Sequence, residues 1–479
     1  MSPSTTSSIG NQQRVAILGG GPGGYEAALV AAQLGAQVTI VESHGLGGST
    51  VLTDVVPSKT LIATAEIMAT VAGATELGLR FPGGGTGDHE AAGSVTVDIG
   101  RVHHRVKALA AAQSADIRAR LEKEGVTVLS GSGRLDGTQA IEVVAGDDAG
   151  ERVEADVLLL SVGARPRTLP DAQPDGERIL TWKQVYDLEE LPEHLIVVGS
   201  GVTGAEFANA YDALGAHVTL VSSRDRVLPG EDADAAEVLE DVFNRRGMTV
   251  MSRSRAESVV RHGDSVTVTL ADGRTVEGSH CLVAVGALPN TEDLGLAEAG
   301  VWTTDSGHIE VDKMSRTSAR GVYAAGDCTG VFPLASVAAM QGRIAMWHAL
   351  GEAVRPLALR SVSSTVFTSP EIATVGWTQA QIDSGEAQGD IVKLPLATNA
   401  RAKMLGIHDG FVKLFCRTGS GTVIGGVVVA PRASELIYPV TLAVEKRLNV
   451  DDVAHAFTVY PSLSGSVAEA ARQLHVMSD

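Results

Sequence analysis

Apolar residues in this chain come in short unbroken runs that stop at glycines, and two of these runs open closely similar stretches. Arg14–Glu42 reads RVAILGGGPGGYEAALVAAQLGAQVTIVE and His194–Ser222 reads HLIVVGSGVTGAEFANAYDALGAHVTLVS. They lie 180 residues apart, align without a gap, and share 11 identical residues in 29. Each copy predicts an apolar strand, a Gly-rich turn, a helix ending near a glycine and a second apolar strand. Continuous apolar runs bounded by glycine suit strands buried on both faces of a parallel sheet. The chain is therefore predicted to hold one βαβ unit twice, and with it two nucleotide sites.

The intervening pattern is sparser. Arg101–Glu124 has helical spacing and many alanines, and Gly83–Gly87 reads as a flexible loop. Asp156–Val162, Cys281–Val285 and Gly321–Ala325 are buried-looking strands ending at Gly163, Gly286 and Gly326-Asp327, and Ala287–Asn290 reads as a turn. Beyond about residue 361 the texture changes. Val-rich strands (Phe411–Phe415, Val423–Val429) alternate with helices (Ser434–Arg447, Ser464–Leu474), the pattern of a separate α+β domain. The expected fold class is α/β: two Rossmann-like dinucleotide-binding domains plus a C-terminal α+β domain, a dimerisation domain by the family resemblance that the motifs below carry. The expected bounds are a flexible tail over 1–13, a first nucleotide domain over 14–163, a second over 164–287, a central part over 288–360, which the same resemblance returns to the first domain, and the last domain over 361–479.

Composition narrows the function. The 38 Lys+Arg against 57 Asp+Glu leave a net charge of -19, which argues against nucleic acid or an anionic membrane as main partner. Glycine, at 54 residues, suits tight turns and close backbone approach to phosphates. Cys281, Cys328 and Cys416 are too scattered for a disulfide framework or a zinc site, as expected of a cytoplasmic protein. The polar stretch Met1–Gln13 lacks the build of a signal peptide, and no run of about 18 apolar residues predicts a membrane span.

The candidate chemistry begins at the glycines. In Gly19-x-Gly21-x-x-Gly24 the first allows the turn, the second lets backbone N–H groups approach a pyrophosphate, and the third lets helix and strand pack closely. Glu42 ends the following strand, where an acid holds a ribose hydroxyl. Gly199-x-Gly201-x-x-Gly204 repeats the motif, but Ser222 stands in the place of Glu42, followed by Arg224 and Arg226. Loss of the acid and gain of cations favour a 2′-phosphate, hence NADP over NAD. Asp327 is read either as an acceptor for a cofactor hydroxyl or as a turn-former, and Cys328 as a small core residue.

Gly47–Lys59 reads GGSTVLTDVVPSK. With GGGPGG and its terminal Glu, GSGVTGAE, YAAGD and the late VYPSLSGS, the chain resembles the flavoprotein disulfide reductases (lipoamide dehydrogenase, glutathione reductase, mercuric reductase) from Arg14 to Leu474. The resemblance implies FAD in the first site, held by Gly19, Gly21, Gly24, Glu42, Gly48, Ser49, Lys59, Gly133, Gly163, Asp327 and Ala335. It implies NADPH or NADH in the second, held by Gly199, Gly201, Gly204, Glu206, Arg224 and Gly286. It also implies a homodimer in which the C-terminal domain of one subunit completes the other's site.

The departures from the family are chemical. The redox pair spaced CxxxxC before PSK falls on Thr50 and Val55, and the family's catalytic His and Glu fall on Tyr460 and Gly465. Neither end retains the groups for reducing a disulfide. Lys59 matches the family lysine near flavin N5 and Glu206 its glutamate partner, so these two and Tyr460 are the catalytic candidates. A cation there stabilises negative charge as the flavin accepts a hydride. Tyr460 is placed to hydrogen-bond an acceptor carbonyl or stack on an aromatic acceptor, or else to pack at an interface. His455 is off register and read as structural. His103 and His104 are adjacent on a helix, cannot share a face, and predict no metal site.

The chain is similar to lipoamide-dehydrogenase-like NAD(P)H:quinone reductases, which also lack the cysteine pair. The expected activity is hydride transfer from NAD(P)H to the flavin, then direct two-electron reduction of a small-molecule quinone. Two rivals are a soluble pyridine nucleotide transhydrogenase, which needs Ser222–Arg226 to accept both nucleotides, and a non-catalytic FAD-binding scaffold or redox sensor, against which an intact Lys59 and Glu206 argue.

Overall fold

The computed structural model describes residues 12–79 and 95–475. The expected Gly83–Gly87 loop and most of the N-terminal tail lie outside the described residues. The chain forms two compact units, each assembled from three separate segments.

The first unit joins Met1–Pro57, Lys107–Arg165 and Ala287–Ala358. Strand β1 (Arg14–Leu18), helix α1 (Pro22–Gln33) and strand β2 (Gln37–Glu42) realise the first repeat as predicted. The sheet is parallel in the order Val322–Ala324, Val157–Leu160, β1, β2, Thr127–Ser130. Its strands are continuously apolar because both faces are covered. Val15, Ile17, Ile40 and Leu159 face a cluster with α1, Ile117, Leu121 and Met346. Ala16, Leu18, Leu158 and Leu160 face a second cluster with Leu135, Ile141 and Val143 from an antiparallel sheet. Each such fully buried Leu or Ile contributes roughly 1.5–3 kcal/mol. Helix α1 lies against the helix Ala335–Ala349, where a Cβ on Gly342 would fall 2.0 Å from the Gly23 carbonyl oxygen. A short helix α2 (Gly48–Leu52) follows β2.

The second unit joins Ser58–Val106, Pro166–Gly286 and Leu359–Asp479. Helix α3 (Val55–Ala72) continues into it. The second repeat forms β3 (His194–Val198), α4 (Val202–Ala213) and β4 (His217–Val221). Its parallel sheet runs Thr249–Met251, β4, β3, His280–Val283, Ile179–Leu180. The C-terminal residues build a five-stranded antiparallel sheet in the order Ser363–Val366, Glu371–Gly376, Val423–Ala430, Phe411–Cys416, Asp390–Pro395. Lys413, 1% exposed in its middle, donates to both oxygens of Asp232 at 2.8 Å and to Gln379 Oε1 at 2.7 Å, and pairs with Asp234 at 2.8 Å. Asp232 also caps the helix Ala233–Arg245, accepting from the Asp234 and Ala235 N–H groups.

Two expectations need correction. Ala287–Pro289 is a short strand, not a turn, because its chain is tied to the Gly163 segment: Asn290 N donates to the Gly163 carbonyl at 3.1 Å and its side-chain amide to the Val162 carbonyl at 2.9 Å. The helix Ser434–Arg447 is two helices, Ala433–Leu436 and Tyr438–Lys446, because Pro439 lacks the N–H that would continue the first. Residues 48–75 form a helical stretch long and apolar enough by length and composition to cross a bilayer. It is interrupted at Thr53-Asp54 and carries Lys59, and its Leu61, Ile62, Ala65 and Met68 are spent on the core of the second unit.

Candidate nucleotide and redox sites

The first cradle lies at the carboxyl ends of β1 and Val157–Leu160. Gly19 holds φ +99°, and its Cβ position would lie 2.3 Å from the Ser161 carbonyl oxygen. A Cβ on Gly24 would lie 1.9 Å from the Gly19 carbonyl oxygen, so α1 packs against the turn only with glycine there. Gly21 has nothing within 4 Å of its Cβ position: that glycine faces open space. Gly48 presses on Gly21, its Cβ position 2.9 Å from the Gly21 Cα, and Gly47 N donates to the Gly20 carbonyl at 2.8 Å. Ser49 is the second residue of α2, and its carbonyl accepts from the Asp54 N–H at 2.8 Å.

Glu42 closes this cradle. Its Oε2 accepts from Gly20 N at 2.6 Å, and its Oε1 from His44 N at 2.7 Å and Gly45 N at 3.2 Å. A carboxylate offers about four lone-pair sites, so one remains for a ribose hydroxyl. Asp327, after Val322–Ala324, has its carboxyl pushed above the usual range by burial, and no side-chain hydrogen bond to it exists among the described residues. A buried acceptor without a donor is costly, and a ligand hydroxyl would relieve it. Ala335 opens a helix with no side-chain cap, and Gly163 holds φ +66° with open space at its Cβ. These features fit an extended dinucleotide such as FAD. Gly133 is closely packed: a Cβ there would lie 2.9 Å from Ile141 and 3.0 Å from Leu18, leaving only its backbone to meet a ligand.

The second cradle repeats this geometry. The Gly199 Cβ position lies 2.2 Å from the Ala284 carbonyl oxygen, that of Gly204 lies 1.8 Å from the Gly199 carbonyl oxygen, and Gly201 faces open space. Gly286 holds φ +99° with nothing near it. Ser222 is fully buried and bonded to Ser200 Oγ at 2.7 Å, so it is tied inward rather than presented to a ligand. Arg224 is exposed and its guanidinium makes no hydrogen bond or ion pair among the described residues. Arg226 keeps a buried Nε with no partner. These residues fit a phosphorylated dinucleotide.

Lys59 and Glu206 are brought together as the family pattern implies. Lys59 Nζ donates to Glu206 Oε2 at 2.6 Å, with the glutamate 3% exposed. Lys59 is on the helix α3. The sequence did not point to Phe367. Its N–H donates to Glu206 Oε1 at 2.8 Å and its ring centroid lies 4.8 Å from Lys59 Nζ. An apolar residue ending a strand carries no sign of such a role. Thr53, in the turn between α2 and α3, has its Oγ buried without a partner.

Tyr460 is 86% exposed, next to Phe457 at 106% and Val459 at 78%. Gly465 begins the last helix. Thr50 and Val55 stand in α2 and at the start of α3, and all three cysteines are buried and free. Burial pushes the thiols of Cys281 and Cys328 up to about 12. Cys328 Sγ donates to the Ala325 carbonyl at 3.3 Å, as a core residue would. His103 is buried, with Nδ1 2.8 Å from the Leu188 carbonyl oxygen.

Two Gly-rich βαβ cradles in one chain, followed by an antiparallel α+β domain, define an oxidoreductase that works with two dinucleotides. The chain belongs to the pyridine nucleotide-disulphide oxidoreductase family, which matches residues 13–342; the dimerisation domain of the same family matches residues 362–471. The family uses FAD and NAD(P)H. A Mycobacterium tuberculosis protein named NAD(P)H dehydrogenase (quinone) is 55% identical over 475 residues, covering 97% of this chain and 94% of its own. The dihydrolipoyl dehydrogenase of Chlorobaculum parvum is 33% identical over 461 residues, covering 95% and 96%. The crystal structure of LpdA from Mycobacterium tuberculosis superposes with a TM-score of 0.91 at 54% identity, covering 97% of this chain and 100% of that one.

Proposed function

We propose that this protein is an FAD-dependent NAD(P)H:quinone oxidoreductase, acting as a homodimer without a protein disulfide. The observation that carries the reading is an intact Lys59–Glu206 pair in a chain with Thr50 and Val55 at the dithiol positions. Machinery for handling a hydride is kept while the dithiol relay is gone. The name of the 55% identical relative supports a quinone as acceptor.

Gly19, Gly21, Gly24, Glu42, Gly48, Ser49, Gly163, Asp327 and Ala335 would hold FAD. Bound FAD supplies the two-electron relay between pyridine nucleotide and acceptor. Gly199, Gly201, Gly204, Arg224 and Gly286 would hold NAD(P)H, with NADPH favoured by Arg224 and by the absence of an acid at Ser222. Lys59 offers a fixed positive charge, which favours negative charge developing beside it. Glu206 holds that charge in position. Tyr460, exposed in one protomer, would contribute to the partner's acceptor site through its hydroxyl or ring.

The test is anaerobic stopped-flow at the flavin absorbance. The oxidised protein is mixed with NADPH or NADH, and the reduced protein then with menadione, lipoamide or NAD. Fast reduction followed by fast reoxidation with menadione alone is expected, with parallel lines in a two-substrate steady-state plot. Reoxidation by NAD alone would replace the reading with transhydrogenation, and failure of both nucleotides to reduce the flavin would remove the enzyme reading altogether.

A further inference from the structure

The turn after β4 and the turn after Thr249–Met251 lie side by side at the same end of the sheet as the second Gly-rich cradle. The strands pair Thr219 with Thr249, Leu220 with Val250 and Val221 with Met251. The pairing continues past the strands: Ser222 N donates to the Met251 carbonyl at 2.9 Å, Ser254 N to the Ser222 carbonyl at 2.7 Å, and Arg253 N to the Arg224 carbonyl at 2.6 Å. Ligands of open α/β sheets bind beyond the carboxyl ends of the strands, where both turns stand.

This double turn carries unspent polar groups. Arg226 Nε and Ser252 Oγ are both buried with no hydrogen-bond partner. Ser254 is different: its hydroxyl donates to the Ser252 carbonyl at 3.1 Å and accepts from Arg274 at 2.8 Å, while Arg274 is committed to Asp272. Arg224 and Arg253 are exposed and make no side-chain hydrogen bond or ion pair among the described residues. Asp225, the carboxylate between Arg224 and Arg226, pairs with neither. Arg253 holds φ +53°, a left-handed conformation that a β-carbon disfavours. Three cations and an idle hydroxyl thus gather in a chain of net charge -19. A phosphomonoester satisfies them all, offering three strong acceptor oxygens and a dianionic charge.

We infer that Ser252 and Arg253 form, with Arg226, the second wall of the site for the 2′-phosphate of NADPH, facing Arg224 across the paired turns. They are specificity residues: they touch the phosphate that NADH lacks and take no part in hydride transfer. The inference rests on the NADPH reading of the second cradle, and its test separates the two.

FAD-loaded protein is compared as wild type, Ser252→Ala, Arg253→Asn and Arg224→Ala. Asparagine tolerates the left-handed backbone and keeps the N–H that meets the Arg224 carbonyl. The readouts are the ratio of kcat/KM for NADPH to that for NADH, and the relative inhibition by 2′,5′-ADP, 5′-AMP and inorganic phosphate. The NADPH:NADH ratio should fall about tenfold in Arg253→Asn and about threefold in Ser252→Ala, the scale of a charge-assisted and a neutral hydrogen bond. The preference for 2′,5′-ADP over 5′-AMP should fall in parallel. An unchanged ratio in both variants, with Arg224→Ala lowering it, overturns the inference and leaves the NADPH reading standing. Wild-type protein that prefers neither NADPH nor 2′,5′-ADP overturns both. Inhibition by inorganic phosphate equal to that by 2′,5′-ADP would also overturn it, by showing an anion site with no nucleotide specificity. If Arg253→Asn fails to fold, Ser252→Ala decides alone.

Discussion

Glu206 divides its carboxylate between two partners: Oε2 accepts from Lys59 Nζ at 2.6 Å and Oε1 from the Phe367 N–H at 2.8 Å. Both partners are donors, so an amide at this position cannot serve both. Glu206→Gln turns an NH2 group toward one of them, and Glu206→Ala leaves both without an acceptor. The alanine variant should lose about 3 kcal/mol, the cost of breaking a buried pair, measured by urea unfolding. Lys59→Met retains most of the side chain's bulk and deletes the charge. It should slow flavin reduction by NADPH about 100-fold while weakening FAD retention far less. Unchanged reduction kinetics would remove Lys59 from the mechanism.

The glycines of the two cradles differ in what they accommodate. Gly21 and Gly201 have open space at their Cβ positions, while a Cβ on Gly24 or Gly204 would fall within 2 Å of a carbonyl oxygen of the preceding turn. Gly201→Ala should therefore fold with wild-type stability and bind NADPH poorly. Gly204→Ala should distort the second nucleotide domain itself and lower the melting temperature. Melting curves and NADPH titrations on the two variants check this; equal destabilisation by both would contradict it.

Lys413 is an ammonium in an otherwise apolar strand, 1% exposed and held by Asp232, Asp234 and Gln379. Lys413→Ala leaves the buried Asp232 carboxylate without its cation, while Asp234, one-third exposed, keeps Lys393 at 3.0 Å, and should cost about 3 kcal/mol. Lys413→Met with Asp232→Asn should recover part of that loss. Denaturant midpoints of wild type and the two variants provide the comparison, and a double variant no more stable than Lys413→Ala would contradict the pairing.

His280 sets a pH dependence. Burial first, then the nearby Arg178 guanidinium, depress this imidazole to about 4, against a weaker opposing pull from Asp175. Its neutral Nε2 lies 3.2 Å from Arg178 Nη1. The unfolded chain therefore takes up the proton first as pH drops below about 6.5. The contribution of this residue to stability is full above that value and is lost progressively as pH falls toward 4. Urea midpoints at pH 7 and pH 5 should differ less in His280→Gln than in wild type.

The dimer reading predicts that the exposed apolar residues Tyr438, Phe457 and Val459 of the C-terminal domain are covered in solution. Phe457→Asp should shift the protein toward monomer in sedimentation velocity. If activity falls with the dimer, the site depends on the partner's C-terminal domain; a fully active monomer would exclude Tyr460 acting across the interface.

The repeat was legible because backbone chemistry forces it: a Cβ on Gly24 or Gly204 would fall within 2 Å of the Gly19 or Gly199 carbonyl oxygen, so only glycine fits, and only apolar residues fill a strand covered on both faces. Lys59 and Glu206, 147 residues apart, were legible only through the family pattern, since nothing local joins them. Phe367 was invisible because its contribution is a backbone N–H, which every residue but proline possesses. Ser252 and Arg253 were overlooked because strand pairing, not sequence proximity, carries them beside Ser222 and Arg224. The split of Ser434–Arg447 shows the opposite failure: Pro439 was visible, but helical periodicity outweighed it.

The buried Lys413 also bears on how such chains can be recombined. Its counter-charges come from Asp232 and Asp234, some 180 residues earlier and in the nucleotide-binding part of the chain. A fragment starting near residue 361 would carry the cation without either aspartate. The C-terminal sheet is thus no portable cassette. Grafted onto a different nucleotide domain it would arrive with an uncovered charge in its centre, so the acid at the helix N-cap and the lysine in the strand must be exchanged together, as one inheritance.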